Sequence, residues 1–290
     1  MRRALPLLLF LISILFVGCS EKAVFHPRRP KYYDSIVSLS PSTTEIVMSN
    51  ADSRALKGRT ASCNWPKNML NAVPIVASVK PDYEKIAAIH PKLIVYDKGL
   101  YSDQDIDKLK STGAELFSID ANSIDDFIKQ LYILGSMLAY ETRFNDYIER
   151  IRLEKNAAMA APFSTVPKVA IMMPSAGGAD YIAGTDSFLA DVIKIAGGQL
   201  VGPKDSKFSA LNAEAFVALN PDVIIVNGSK ADTSGASLVL NDPRFKSIKA
   251  VKDQNVQILD SDVLLRRGQR VDNLIKDLHY VIAPKQSPNK

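Results

Sequence analysis

The chain has 290 residues, 47% of them hydrophobic and 23% charged, enough for one large domain or two modest ones with real cores. That composition excludes a disordered chain, a collagen-like repeat and a disulfide-stapled miniprotein, and two cysteines cannot make a four-thiolate zinc or iron–sulfur site. The formal charge is +5; without Arg2 and Arg3 it falls to near +3. The basic residues are scattered, so nucleic acid is not expected as a partner.

Residues 1–18 read as a secretory signal: Arg2-Arg3, an apolar run from Ala4 to Val17, then Gly18 ahead of Cys19. The run is short of the roughly 20 residues that a spanning helix needs. Cys19 at the cut is similar to the bacterial lipoprotein signal, which implies lipidation of its thiol and attachment to a membrane. Cys63 is then the only thiol left, so no internal disulfide is expected. Residues 19–33, with Pro27, Pro30 and four basic side chains, lack periodicity and read as a tether.

A first lobe is expected over 34–138. It opens with a short strand at 35–39, a turn at Ser40-Pro41-Ser42, and a helix start in which Glu45, three residues past Ser42, has capping-box spacing. Two later segments echo one another. Glu84 to Val95 and Glu214 to Ile225 each carry a Glu, then a Pro seven residues on, then a run of aliphatic residues. Each predicts a helix that stops ahead of Pro and a buried strand of a parallel sheet. The repeat implies two α/β lobes of similar build. Between the copies, helical spacing of apolar residues over 123–138 and 140–161 predicts a stiff connecting helix (139–165) of about 20 residues, ~30 Å long. A second lobe at 166–283 holds a strand at 168–173, helices at 187–196 and 242–248, a strand at 256–259 and a closing amphipathic helix at 270–282. Residues 284–290 are a polar tail. The fold class is therefore α/β: two Rossmann-like lobes with parallel-rich sheets, joined by one long helix.

Catalytic signatures are missing. There is no phosphate loop, nucleophile elbow or zinc-protease motif, and the three histidines (His26, His90, His279) have no metal-site pattern around them. Asp103, Asp105 and Asp107 mimic a calcium loop, but Lys108 stands where such a loop needs Gly; a solvated helix start is the better reading. The loops that follow predicted strands look like binding surface. They offer Cys63, Asn64 and Trp65; Lys98 and Tyr101; Tyr181; and Ser229. Arg266, Arg267 and Arg270 put three guanidinium groups within five residues, suited to carboxylate or phosphate-like oxygens.

Taken together, Ile36–Glu45, Gly58-Arg59-Thr60 with Cys63–Pro66, Asp82–Val95, Gly197-Gly198, Glu214–Val226 and Arg266–Arg270 resemble the periplasmic substrate-binding proteins of ABC importers for cobalamin, haem and iron–siderophores. The resemblance spans roughly residues 34–283. It implies a lipid-anchored, exported monomer, not an enzyme, that has no cofactor of its own. Such a protein binds a small-molecule metal chelate in the cleft between lobes and delivers it to a dimeric ABC permease with its ATPase. It implies ligand contacts from Ser40, Pro41, Ser42, Cys63, Asn64, Trp65, Lys98, Tyr101, Tyr181, Ser229, Arg266 and Arg270, and permease docking by Glu84 and Glu214. Trp65-Pro66 is similar to the Asp-Tyr-Pro loop of cobalamin binders, which puts a corrinoid first, ahead of iron–siderophore and haem. Two other classes remain: a sensor or adhesin without a transporter, and an exported hydrolase using Ser40 or Ser42.

Overall fold

The computed structural model describes residues 33–205, 207–229 and 232–284. The signal, Cys19, all of the tether but its last residue, and the tail beyond 284 lie outside the described residues.

In chain order the first lobe holds β1 (Ile36–Ser38), α1 (Pro41–Asn50), β2 (Leu56–Thr60), β3 (Ile75–Ala77), α2 (Tyr83–Ile89), β4 (Leu93–Asp97), α3 (Asp103–Lys110), β5 (Glu115–Ile119) and α4 (Ile124–Leu138). The helix α5 (Glu141–Ala160) follows. The second lobe holds β6 (Lys168–Met173), β7 (Tyr181–Ala183), α6 (Phe188–Ile195), β8 (Gln199–Leu200), β9 (Phe208–Ala210), α7 (Ala213–Leu219), β10 (Val223–Gly228), α8 (Ser234–Leu240), α9 (Lys249–Lys252), β11 (Val256–Asp260), α10 (Ser261–Leu264) and α11 (Val271–Ile282).

The first sheet is parallel, in the order β3-β2-β1-β4-β5. The second runs β11-β10-β6-β7-β9, with β8 also on β6. The echoed segments occupy matching places. β4 lies beside the opening strand β1, and β10 beside the opening strand β6. Each is buried on both faces, as a near-continuous aliphatic run requires. The likeness covers half of each sheet only: β7 is antiparallel to both β6 and β9, where the first lobe keeps parallel strands.

The helices before the echoed strands are built alike. Asp82 caps α2 by accepting from Lys85 N at 3.1 Å, and Asn212 caps α7 by accepting from Ala215 N at 2.9 Å. Ile86 and Phe216 are the buried residues of the two helices. The residue ahead of each Pro does not turn extended, as the sequence suggests; His90 and Asn220 close their helices in the left-handed region, with φ of 51° and 45°, a helix-ending conformation that Asn tolerates well. The Asp103 segment is the first turn of α3, closed by a reciprocal Ser102–Asp105 capping box.

One core runs through both lobes. Phe127 and Leu131 of α4, Phe144, Tyr147 and Ile151 of α5, Val192 of α6, and Leu274 and Leu278 of α11 are fully buried in the same cluster. Gly135 lets α4 and α5 approach closely, since a Cβ there would stand 2.8 Å from the Phe144 side chain. The connecting helix is thus packed along its length. In the second lobe the expected helix at 242–248 is instead a short 3-10 turn at Pro243–Phe245, with α9 after it.

Candidate functional site

A cavity of about 550 Å³ lies between the two lobes, with residues that follow strands of the first sheet on one side and residues of the second sheet and its first helix on the other. Lys98, Gly99 and Leu100 follow β4, while Asp120 and Asn122 follow β5. From the other lobe come Met173 at the end of β6, Gly184 after β7, Ser187 and Phe188 at the start of α6, and Lys207 and Phe208 at β9. Leu264, Leu265, Arg266 and Arg267 complete the wall.

The segment 264–270 is a strap from the second lobe laid across the first. Its anchor is Glu45 of α1, with only 1% of its side chain exposed. Arg266 Nη1 lies 3.1 Å from Glu45 Oε1, Arg270 Nη2 lies 2.6 Å from the same atom, and the Gln269 backbone N–H donates to Oε2 at 3.2 Å. Gly268 fits only because it lacks a side chain, since a Cβ would sit 2.5 Å from Glu45 Oε2. Asn50 pairs with Gln269. Arg266 also donates to Asn64 Oδ1 at 2.7 Å and meets Asp262 at 2.5 Å. Arg267 donates to the Ala121 carbonyl at 2.6 Å, with Asp97 3.6 Å away. The connecting helix holds the strap from the far side: Tyr147 OH donates to the Gly268 carbonyl at 2.5 Å and accepts from Val271 N at 3.2 Å.

Glu45 therefore does not close a capping box with Ser42. Ser40 caps α1, its hydroxyl accepting from Thr43 N at 3.1 Å, which leaves the Glu45 carboxylate for the strap. The motif hydroxyls form a buried network of Ser38, Ser40, Thr43 and Thr44 that Cys63 joins, its thiol donating to Thr44 Oγ1 at 3.2 Å.

Of the sequence-predicted ligand contacts, Lys98 and Arg266 line the cavity. Ser40, Ser42 and Cys63 are buried and Pro41 begins α1; none of the four is part of the cavity wall. Asn64 bridges the lobes, its amide donating to Asp262 at 2.7 Å. Arg270 stacks over the Trp65 ring at 5.5 Å. Tyr101 donates its hydroxyl to the Leu39 carbonyl at 2.5 Å, and burial holds that hydroxyl protonated well above its ordinary range. Tyr181 and Ser229 lie at the ends of β7 and β10, outside the cavity wall. Glu84 and Glu214 are exposed, each in the first turn of its capped helix. Burial pushes the Asp97 carboxyl up, against the pull of Arg267 and the Ser40 and Ser42 hydroxyls. Among the described residues no three His, Cys, Asp or Glu side chains gather as a metal site would require.

Sequence reasoning did not pick Asp120, Asn122, Ser187, Phe188, Lys207, Phe208, Leu264 or Leu265. Leu264 and Leu265 adjoin the arginine run, and their position was the available signal. Phe208 begins β9, a three-residue strand antiparallel to β7 that no pattern announces, and Lys207 directly precedes it. Gly184, which follows β7, the strand paired with β9, makes a test of the wall: a Cβ there would meet the Asp205 carbonyl oxygen at 2.1 Å. Because backbone cannot rotate away, Gly184→Ala is expected to cost about 1–3 kcal/mol; an unchanged denaturant midpoint would show that the 205–207 backbone does not rest on it.

Among the described residues no helix is long and apolar enough to cross a membrane. The chain is 24% identical over 271 residues, 91% of this chain and 84% of the relative, to the uncharacterized ABC transporter substrate-binding lipoprotein YvrC of Bacillus subtilis. It is 26% identical over 174 residues, 58% of each chain, to the high-affinity heme uptake system protein IsdE of Staphylococcus aureus. Its fold superposes on the periplasmic vitamin B12 binding protein BtuF of Vibrio cholerae with a TM-score of 0.75 at 17% identity, covering 86% of this chain and 96% of that one. Residues 36–263 match the family described as periplasmic binding protein, and with two lobes, a packed connecting helix and a cleft at the strand ends, the chain belongs to that family.

Proposed function

We propose that this protein is the substrate-binding lipoprotein of an ABC-type importer. It captures a corrinoid or another tetrapyrrole metal chelate in the inter-lobe cleft and passes it to a dimeric permease with its ATPase. The observation that carries the reading is the cleft: about 550 Å³, within the usual range for small-molecule sites of roughly 300–1,000 Å³, with walls from both lobes. Leu100, Met173, Phe188, Phe208, Leu264 and Leu265 offer apolar surface to a flat macrocycle, and charged side chains stand where its polar edge would lie. BtuF supports a corrinoid; IsdE supports haem.

A polyanionic ferric siderophore is less well served. The arginines that would face it already face Glu45, and drawing them away would leave a buried carboxylate unpaired. A hydrolase is also disfavoured, because Ser40 is buried and its hydroxyl is committed to Thr43.

In this reading the mature protein acts as a monomer anchored through Cys19, and Glu84 and Glu214 dock to the permease. Titration with cyanocobalamin and with haemin tests the cleft. Trp65 is the only tryptophan, so its emission should be quenched saturably by a coloured chelate, at one chelate per chain and without turnover. If neither chelate changes absorbance or emission saturably, the reading fails.

A further inference from the structure

We infer that the chelate carries a carboxylate edge and that Lys207 anchors it. The inference rests on the cleft being the chelate site and narrows what it holds.

Four cationic side chains line the cavity. Three have partners within the protein. Lys98 lies 2.6 Å from Asp120, itself part of the wall. Arg266 is held by Glu45 and Asp262. Arg267 donates to the Ala121 carbonyl beside Asp97. Lys207 is the one for which the described residues supply no carboxylate partner.

Its backbone, by contrast, is fixed. Gly184 N donates to the Lys207 carbonyl at 3.0 Å, Lys207 N donates to Asp205 Oδ1 at 3.1 Å, and Ala183 of β7 pairs with Phe208 of β9. The flexible stem therefore projects from a rigid base at the rim of an apolar cleft. The Lys98–Asp120 pair of the first lobe is neutral as a unit. An ammonium beside low-dielectric walls gains more from an incoming carboxylate than it would in open water, and its single-point geometry adapts to an acid on a long arm. A macrocycle held by the apolar walls with an acidic edge at Lys207 gives the fourth cation of the cavity a counter-charge and leaves the three internal pairings intact. A fully amidated edge leaves Lys207 with nothing to gain.

The test compares wild type, Lys207→Gln and Lys207→Arg in titrations with haemin, haemin dimethyl ester and cyanocobalamin. Expected is a loss of about tenfold in haemin affinity for Lys207→Gln, as for one charge-assisted contact, with most of it restored in Lys207→Arg. The ester should bind wild type and Lys207→Gln equally, and all three proteins should unfold at the same temperature. Equal haemin affinity in wild type and Lys207→Gln, or an equal loss for acid and ester, overturns the inference. So does wild-type binding of cyanocobalamin alone, which leaves the cleft reading standing. Failure of all three chelates to bind wild type removes the cleft reading itself.

Discussion

Glu45→Ala lowers the free energy of unfolding by about 3–5 kcal/mol, the usual cost of removing one member of a buried ion pair. The carboxylate is the shared acceptor for Arg266, Arg270 and the Gln269 N–H. Its loss leaves two guanidinium groups, each less than a fifth exposed, with fewer acceptors. Arg270→Ala should cost less, because Arg266 still faces Glu45 and no buried anion is stranded. The melting temperature of Glu45→Ala should fall by roughly 10 °C. Chelate affinity should fall as well, since Arg266, Leu264 and Leu265 form part of the cleft wall. Calorimetry with and without chelate separates the two effects. A stability within 0.5 kcal/mol of wild type would mean that the strap is held by its other contacts.

The double variant Glu84→Ala, Glu214→Ala abolishes most uptake in cells, by at least about tenfold, while the purified protein binds chelate as before. Both carboxylates are exposed and lie on helices of matching construction, and among the described residues neither forms an ion pair. They are therefore available to a partner's guanidinium groups, and a pair of such charge-assisted contacts contributes strongly to docking. Neither residue lines the cavity, so solution affinity should not move. Normal uptake would remove the docking role; lost affinity would place the glutamates in the ligand site. Uptake that does not change even when the protein is absent would favour a sensor or adhesin.

What could be read from the sequence followed from how local the cause was. A helix that ends before Pro and a buried aliphatic strand are written within about a dozen consecutive residues, so α2–β4 and α7–β10 were legible, as was the unbroken apolar periodicity of α5. Glu45 was misread because its nearest plausible partner, Ser42, lies three residues away, whereas its true partner Arg266 lies 221 positions away. No spacing rule reaches that far. The arginine run was recognised as an anion site, yet the nearest anion proved to be the protein's own. The cleft residues on β9 were missed for a third reason: Phe208–Ala210 is three residues long and antiparallel, too short to show alternation and outside the repeat that organised the rest.

The strap also bears on the order of folding. The acceptor for residues 266–270 is set near the start of the chain, so the first lobe emerges during synthesis with a carboxylate whose cationic partners have not yet been made. The contact between Glu45 and the strap spans 221 positions and is correspondingly slow to form. A chain truncated after α5 would lack these partners altogether.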